Sequence, residues 1–100
     1  MANYTNASID RLMRVVSMLK TPEECRNFFY DLCTIKELQN MAMRLDTAIM
    51  LSKGENYMTI SREVGSSAAT ISRVSRSYHY GSDGYKQAVQ MLEDMEVKQE

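Results

Sequence analysis

Residues 57–77, YMTISREVGSSAATISRVSRS, have the spacing of two short helices joined by a tight turn at Gly65. With this glycine as the ninth position, Ile60, Val64, Ile71 and Val74 fall where a helix-turn-helix needs apolar side chains to cross its two helices. Gly65 sits in the turn, where a positive φ costs a glycine little and other residues more. The second helix opens with Ser66-Ser67-Ala68-Ala69-Thr70-Ile71-Ser72-Arg73. Its short side chains permit close approach, and an arginine follows one turn later, as in a recognition helix that enters a DNA major groove. The plainer alternative is a helical hairpin with a solvated hydroxyl face. Against it stand six serines and threonines between Ser66 and Ser77. These are weak helix formers, and a helix that accepts so many is expected to use them for function.

The charge distribution agrees with the motif. The formal net charge of the chain is −1. Residues 1–56 carry seven basic and seven acidic side chains. Residues 57–81 carry Arg62, Arg73 and Arg76 against Glu63 alone, whereas the tail from Ser82 is acidic through Asp83, Glu93, Asp94, Glu96 and Glu100. Positive charge is therefore local to the motif, which predicts weak nonspecific binding to DNA and reliance on a duplicated site.

Outside the motif the chain reads as helices. Ile9, Leu12, Met13, Val16 and Leu19 form one stripe and predict a helix over Ser8–Lys20. Thr21-Pro22-Glu23-Glu24 starts a second helix, with a threonine cap, proline at the first position and acids at the positive end of the dipole. That helix is expected to end near Cys33. Thr34 and Glu37 have the spacing of a capping box for a third and longest helix, from Ile35 to about Ser52, closed by Lys53-Gly54. After the motif, His79–Gly84 reads as a short loop and Tyr85 to about Val97 as a last amphipathic helix. No segment alternates with a two-residue period, so the fold class is all-α, a single helical domain over residues 1–100 with the helix-turn-helix at 57–77.

Short helices with apolar residues on more than one side are hard to cover within 100 residues, which predicts a homodimer. A dimer also answers the recognition problem, since two helices one DNA turn apart, about 34 Å, read a palindrome. No apolar run approaches the ~20 residues of a membrane span and no signal-peptide pattern opens the chain, so a cytoplasmic protein is expected. Cys25 and Cys33 lie roughly 12 Å apart along one predicted helix, too far for a disulfide. With two cysteines and one histidine, His79, no zinc cluster can form within one subunit, and no motif asks for a cofactor.

From about Asp31 to Leu92 the residues resemble the Trp repressor superfamily, and within it the YerC/YecD group. The most specific parts are LCTIKEL with its sequel MAMRLDTAIMLSKG, and the block GSSAATISRV followed by Tyr80-Gly81. The resemblance implies a six-helix, intertwined dimer in which the first, third and last helices interlock. It implies that Ala68, Ala69, Thr70, Ser72 and Arg73 approach DNA. It also implies that Arg73 and Arg44 match two arginines that sandwich a tryptophan corepressor, with Thr34 and Ser77 as further contacts. The sequence departs from the family pattern at Val74, where the repressor has a glycine, and in a connection after Gly54 that is one residue shorter. An isopropyl group at Val74 is expected to fill part of the ligand pocket.

These readings predict a dimeric, sequence-specific transcriptional regulator that binds a palindromic duplex and does not respond to tryptophan. Ser67 would cap the recognition helix beside phosphate. Ala69, Thr70 and Ser72 would face base edges, while Arg73 and Arg76 would contact phosphate or guanine. Two alternatives remain open on sequence alone. One is a small-molecule-gated repressor with a pocket at Arg44 and Arg73. The other is an adaptor whose helix-turn-helix docks on a protein. Enzyme chemistry is not expected, because the chain has no glycine-rich phosphate loop and no nucleophile–base arrangement.

Overall fold

The computed structural model describes residues 6–99, which form six helices: α1 (Asn6–Met18), α2 (Pro22–Leu32), α3 (Ile35–Ser52), α4 (Tyr57–Val64), α5 (Ala68–Tyr80) and α6 (Gly84–Gln99). There is no strand among the described residues, and no helix among them is long and apolar enough to cross a membrane. Glu100 of the acidic tail lies outside them. The chain divides into two units, Met1–Leu38 and Gln39–Glu100.

In the first unit, hydrogen-bond competition sets the helix ends. α1 stops at Met18, two residues before the stripe predicts. The Lys20 amide donates to Glu24 Oε1 at 3.1 Å instead of continuing the α1 ladder. Thr21 caps α2, accepting from the Glu24 amide at 3.1 Å, with Pro22 at the start of the helix. The Cys33 amide closes α2 on the Phe29 carbonyl. The capping box then forms in both directions: the Glu37 amide donates to Thr34 Oγ1 at 3.0 Å, and the Thr34 amide to Glu37 Oε1 at 2.8 Å. Hydrogen bonds from the Thr34 backbone and then its side chain hold the Glu37 carboxyl below the usual glutamate range. No described residue of this unit is buried. Ile9, Met13, Tyr30 and Leu32 are all exposed, and Cys25 and Cys33 are partly exposed free thiols.

In the second unit, α3 ends at a Schellman turn. The Gly54 amide donates to the Leu51 carbonyl at 3.0 Å and the Glu55 amide to Met50 at 3.2 Å, with Gly54 at φ 81°. Asn56 caps α4 by accepting from the Thr59 amide at 2.8 Å. Gly65 ends α4 at φ 85°, its amide on the Ser61 carbonyl. α5 continues through His79 and Tyr80, which the sequence reading places in a loop. Its end is set by Gly81, whose amide donates to the Ser77 carbonyl at 2.9 Å. A Cβ at Gly81 would collide with that same carbonyl. Asp83, at φ 65°, then accepts the Gln87 amide and starts α6 one residue earlier than predicted.

Ala48, Ile60, Ile71, Val74 and Val89 form the buried apolar core, drawn from α3, α4, α5 and α6. The motif positions expected inside are therefore inside, with Val64 half-buried. Two hydroxyls share this core. Thr47 is 0% exposed and Ser66 is 1% exposed, with their oxygens 2.6 Å apart. Thr47 Oγ1 also lies 2.8 Å from the Met43 carbonyl, which can only accept. The single Thr47 proton is thus committed to Met43, and Ser66 must donate to Thr47. Thr47→Val removes the acceptor and leaves a buried donor unpaired, so it should lower stability by about 1–3 kcal/mol. Ser66→Ala leaves every remaining hydroxyl proton satisfied and should lose at most the net worth of one hydrogen bond, about 0.5–1.5 kcal/mol. Urea unfolding of the two variants checks the order, and equal losses would contradict this direction of donation.

Candidate nucleic-acid interface

The turn before α5 assigns one task to each residue. Gly65 ends α4, Ser66 is buried, and Ser67 caps α5 by accepting from the Thr70 amide at 3.1 Å. The Ser67 hydroxyl in turn donates to Thr70 Oγ1 at 3.0 Å. Two of the six hydroxyl residues that the sequence reading assigns to function thus have structural work in the turn itself. Capping of α5 by Ser67 is as expected, but its proton is directed at Thr70, so its oxygen keeps only acceptor capacity for another partner.

Beyond the cap, Ala68, Ala69, Ser72, Arg73 and Arg76 are exposed, while Ile71 and Val74 turn into the core. Ala69, Ser72, Arg73 and Arg76 follow three- and four-residue steps and so share one face of α5. Thr70 is half-buried and tied back to Ser67, more withdrawn than its predicted neighbours on this face. Arg62 of α4 is exposed as well. Among the described residues the only ion pair is Lys86 with Asp83, so Arg62, Arg73 and Arg76 keep unneutralised guanidinium groups. Arg73 and Arg76 thus give this face of α5 positive charge around the short side chains of Ala69 and Ser72.

A cavity of about 330 Å³ lies behind this face, lined by Arg44, Ala69, Thr70, Arg73, Val74, Ser77 and Tyr85. The structure thus brings together Arg44, Arg73 and Ser77 of the expected ligand set. Thr34 belongs to the first unit, where its hydroxyl and amide are both engaged with Glu37. Val74 is 2% exposed, so its isopropyl group serves the core and forms the inner wall of the cavity at once. Neither Arg44 nor Arg73 has an ion-pair partner among the described residues. No group of three or more His, Cys, Asp or Glu among them could hold a metal ion.

Sequence reasoning missed Tyr85 as a lining residue, although it placed Tyr85 at the start of the last helix. It also missed Thr47 and Ser66. The available signal was a hydroxyl residue beside Ala48 on the apolar face of α3, but its partner lies 19 positions further along the chain.

Fold and site together define an all-helical helix-turn-helix protein with a small cavity under its second motif helix. The Trp repressor protein family matches residues 7–93, extending the resemblance read from Asp31 onward into the first two helices. The chain belongs to that family. It is 46% identical over 90 residues, covering 90% of this chain and 86% of the relative, to the uncharacterized protein YerC of Bacillus subtilis (strain 168). The solved structure of a candidate Trp repressor from Staphylococcus aureus is similar with a TM-score of 0.84 and 42% identity, covering 89% of each chain. A TrpR-like protein from Eubacterium eligens ATCC 27750 gives a TM-score of 0.82 and 40% identity over 88% of this chain and 90% of that one.

Proposed function

We propose that this chain is a sequence-specific DNA-binding transcriptional regulator that acts as a homodimer on a palindromic duplex. The observation that carries the reading is the exposed face of α5, on which Arg73 and Arg76 are unpaired around Ala69 and Ser72. Short side chains let the helix backbone approach a groove, and the guanidinium groups supply phosphate or guanine contacts. Membership of the Trp repressor family supports a regulator over an enzyme. The dimer is supported by the first unit, which buries none of its described side chains and leaves Ile9, Met13, Tyr30 and Leu32 exposed. A second copy could cover such surface, because apolar area of this kind favours association.

The cavity favours a second reading, in which a small carboxylate bridging Arg44 and Arg73 modulates DNA binding. Tryptophan is not the expected ligand. Val74 is buried in the core, so making room for an indole there would cost core packing. Calorimetry with a panel of amino acids and other carboxylates separates this reading from ungated binding.

Arg73→Ala should weaken binding to a selected duplex by about 1–3 kcal/mol and relax specificity at one position, as for loss of a base contact. Arg76→Ala should weaken all duplexes alike and reduce the salt slope by about one. Fluorescence anisotropy across a salt series checks both. A parent chain with no salt-dependent binding would remove the DNA reading altogether.

Sedimentation of the parent chain should give a dimer at micromolar concentration, and a folded monomer there would count against a dimeric reader. Tryptophan titrated into the same DNA-binding assay should leave affinity unchanged. Enhancement at submillimolar tryptophan would mean that the valine is accommodated.

A further inference from the structure

The buried pair Thr47–Ser66 is more than core filling. Two facing hydroxyls in a small apolar core are a poor choice for stability alone. An apolar pair of the same shape would fill the space without desolvating four lone pairs, and such exchanges are near neutral or stabilising. What a hydrogen bond adds is direction. Its 2.6 Å contact joins α3 to the residue between the α4 stop at Gly65 and the α5 cap at Ser67. The Thr47 proton is held by the Met43 carbonyl, so the acceptor lone pairs on Thr47 are fixed by α3 itself. Ser66 must approach along one of them, and its backbone carries Ser67 and the first turn of α5 with it.

The consequences fall on both parts of the site. Arg44 lies three residues before Thr47 on α3, and the cap set by Ser67 leads within two turns to Arg73. Beside the apolar packing of Ala48, Ile71 and Val74, this bond adds a directional constraint on where α5 starts relative to the helix that carries Arg44. We propose that Thr47 and Ser66 are positioning residues that set the angle and register of the recognition helix, and thereby its discrimination among DNA sequences. This inference rests on the DNA-binding reading above, and predicts an effect on specificity that is separate from stability.

The test uses the full-length chain with Thr47→Val and Ser66→Ala combined, which removes both hydroxyls and leaves no buried donor unpaired. Affinity is measured for a duplex selected by the parent chain from a randomised pool and for a random-sequence duplex at the same salt. The double variant should melt at or near the parent temperature and bind the random duplex within about twofold of the parent, since phosphate contacts tolerate small shifts. Its preference for the selected duplex should fall about tenfold, in line with losing one well-placed base contact. Unchanged preference in the folded variant overturns the proposal. Should the double variant fail to fold, Ser66→Ala alone carries the same comparison, because Thr47 keeps its bond to Met43.

Residual dipolar couplings of the α3 and α5 amides, measured without DNA, keep the two readings separable. If the parent chain binds no duplex, the DNA reading fails and the couplings decide the positioning claim. A changed orientation of α5 against α3 in the variant supports it, and an unchanged one overturns it.

Discussion

The three-residue turn Gly65-Ser66-Ser67 is the constraint on which the second unit depends. A left-handed glycine ends α4, a buried serine ties the chain to α3, and an exposed serine starts α5. Because the turn is so short, Ile60, Ile71 and Val74 have no freedom to choose other partners, and the two motif helices cross where their apolar positions meet. An extra residue here would shift the register of α5 by about 100° about its axis and carry its apolar positions away from the core. The arginines face outward because the turn leaves the apolar residues no other direction.

Val74 shows how closely core and cavity are joined. Its side chain is nearly sealed from solvent, and the same atoms wall a space bordered by two unpaired arginines. Core packing at Val74 therefore limits the size of the space, and the two arginines set its charge. A larger ligand must displace a group whose burial helps to hold α5 in place, and small-to-large changes in a packed core are costly. The cavity and α5 are therefore joined through Val74, which belongs to both the core and the cavity wall.

The first unit follows a different logic. Its helices are defined by well-formed caps at Thr21 and Thr34, yet none of its described side chains is buried. Caps and boxes specify where helices begin, but each contributes only about 1 kcal/mol and cannot replace a core. Segments of this kind owe most of their stability to what their apolar stripes meet. For α1 and α2 those stripes stay uncovered among the described residues, with Ile9, Met13, Tyr30 and Leu32 exposed.

Local chemistry was legible in the chain. Thr21-Pro22, Thr34 with Glu37, Gly54 and Gly65 act within a single helical turn, so their roles follow from residue type and spacing. The apolar periodicity of residues 57–77 likewise put Ile60, Ile71 and Val74 inside before any tertiary contact was known. Boundaries decided by competition were less legible. Lys20 leaves α1 because Glu24 takes its amide, and α5 keeps His79 and Tyr80 because Gly81 holds the end. Only the tertiary structure could pair Thr47 with Ser66, or gather Arg44, Arg73 and Tyr85 around one cavity. Helical signals decay within a few residues, whereas these meetings depend on the crossing of α3, α5 and α6, a geometry set by packing and not by any one segment.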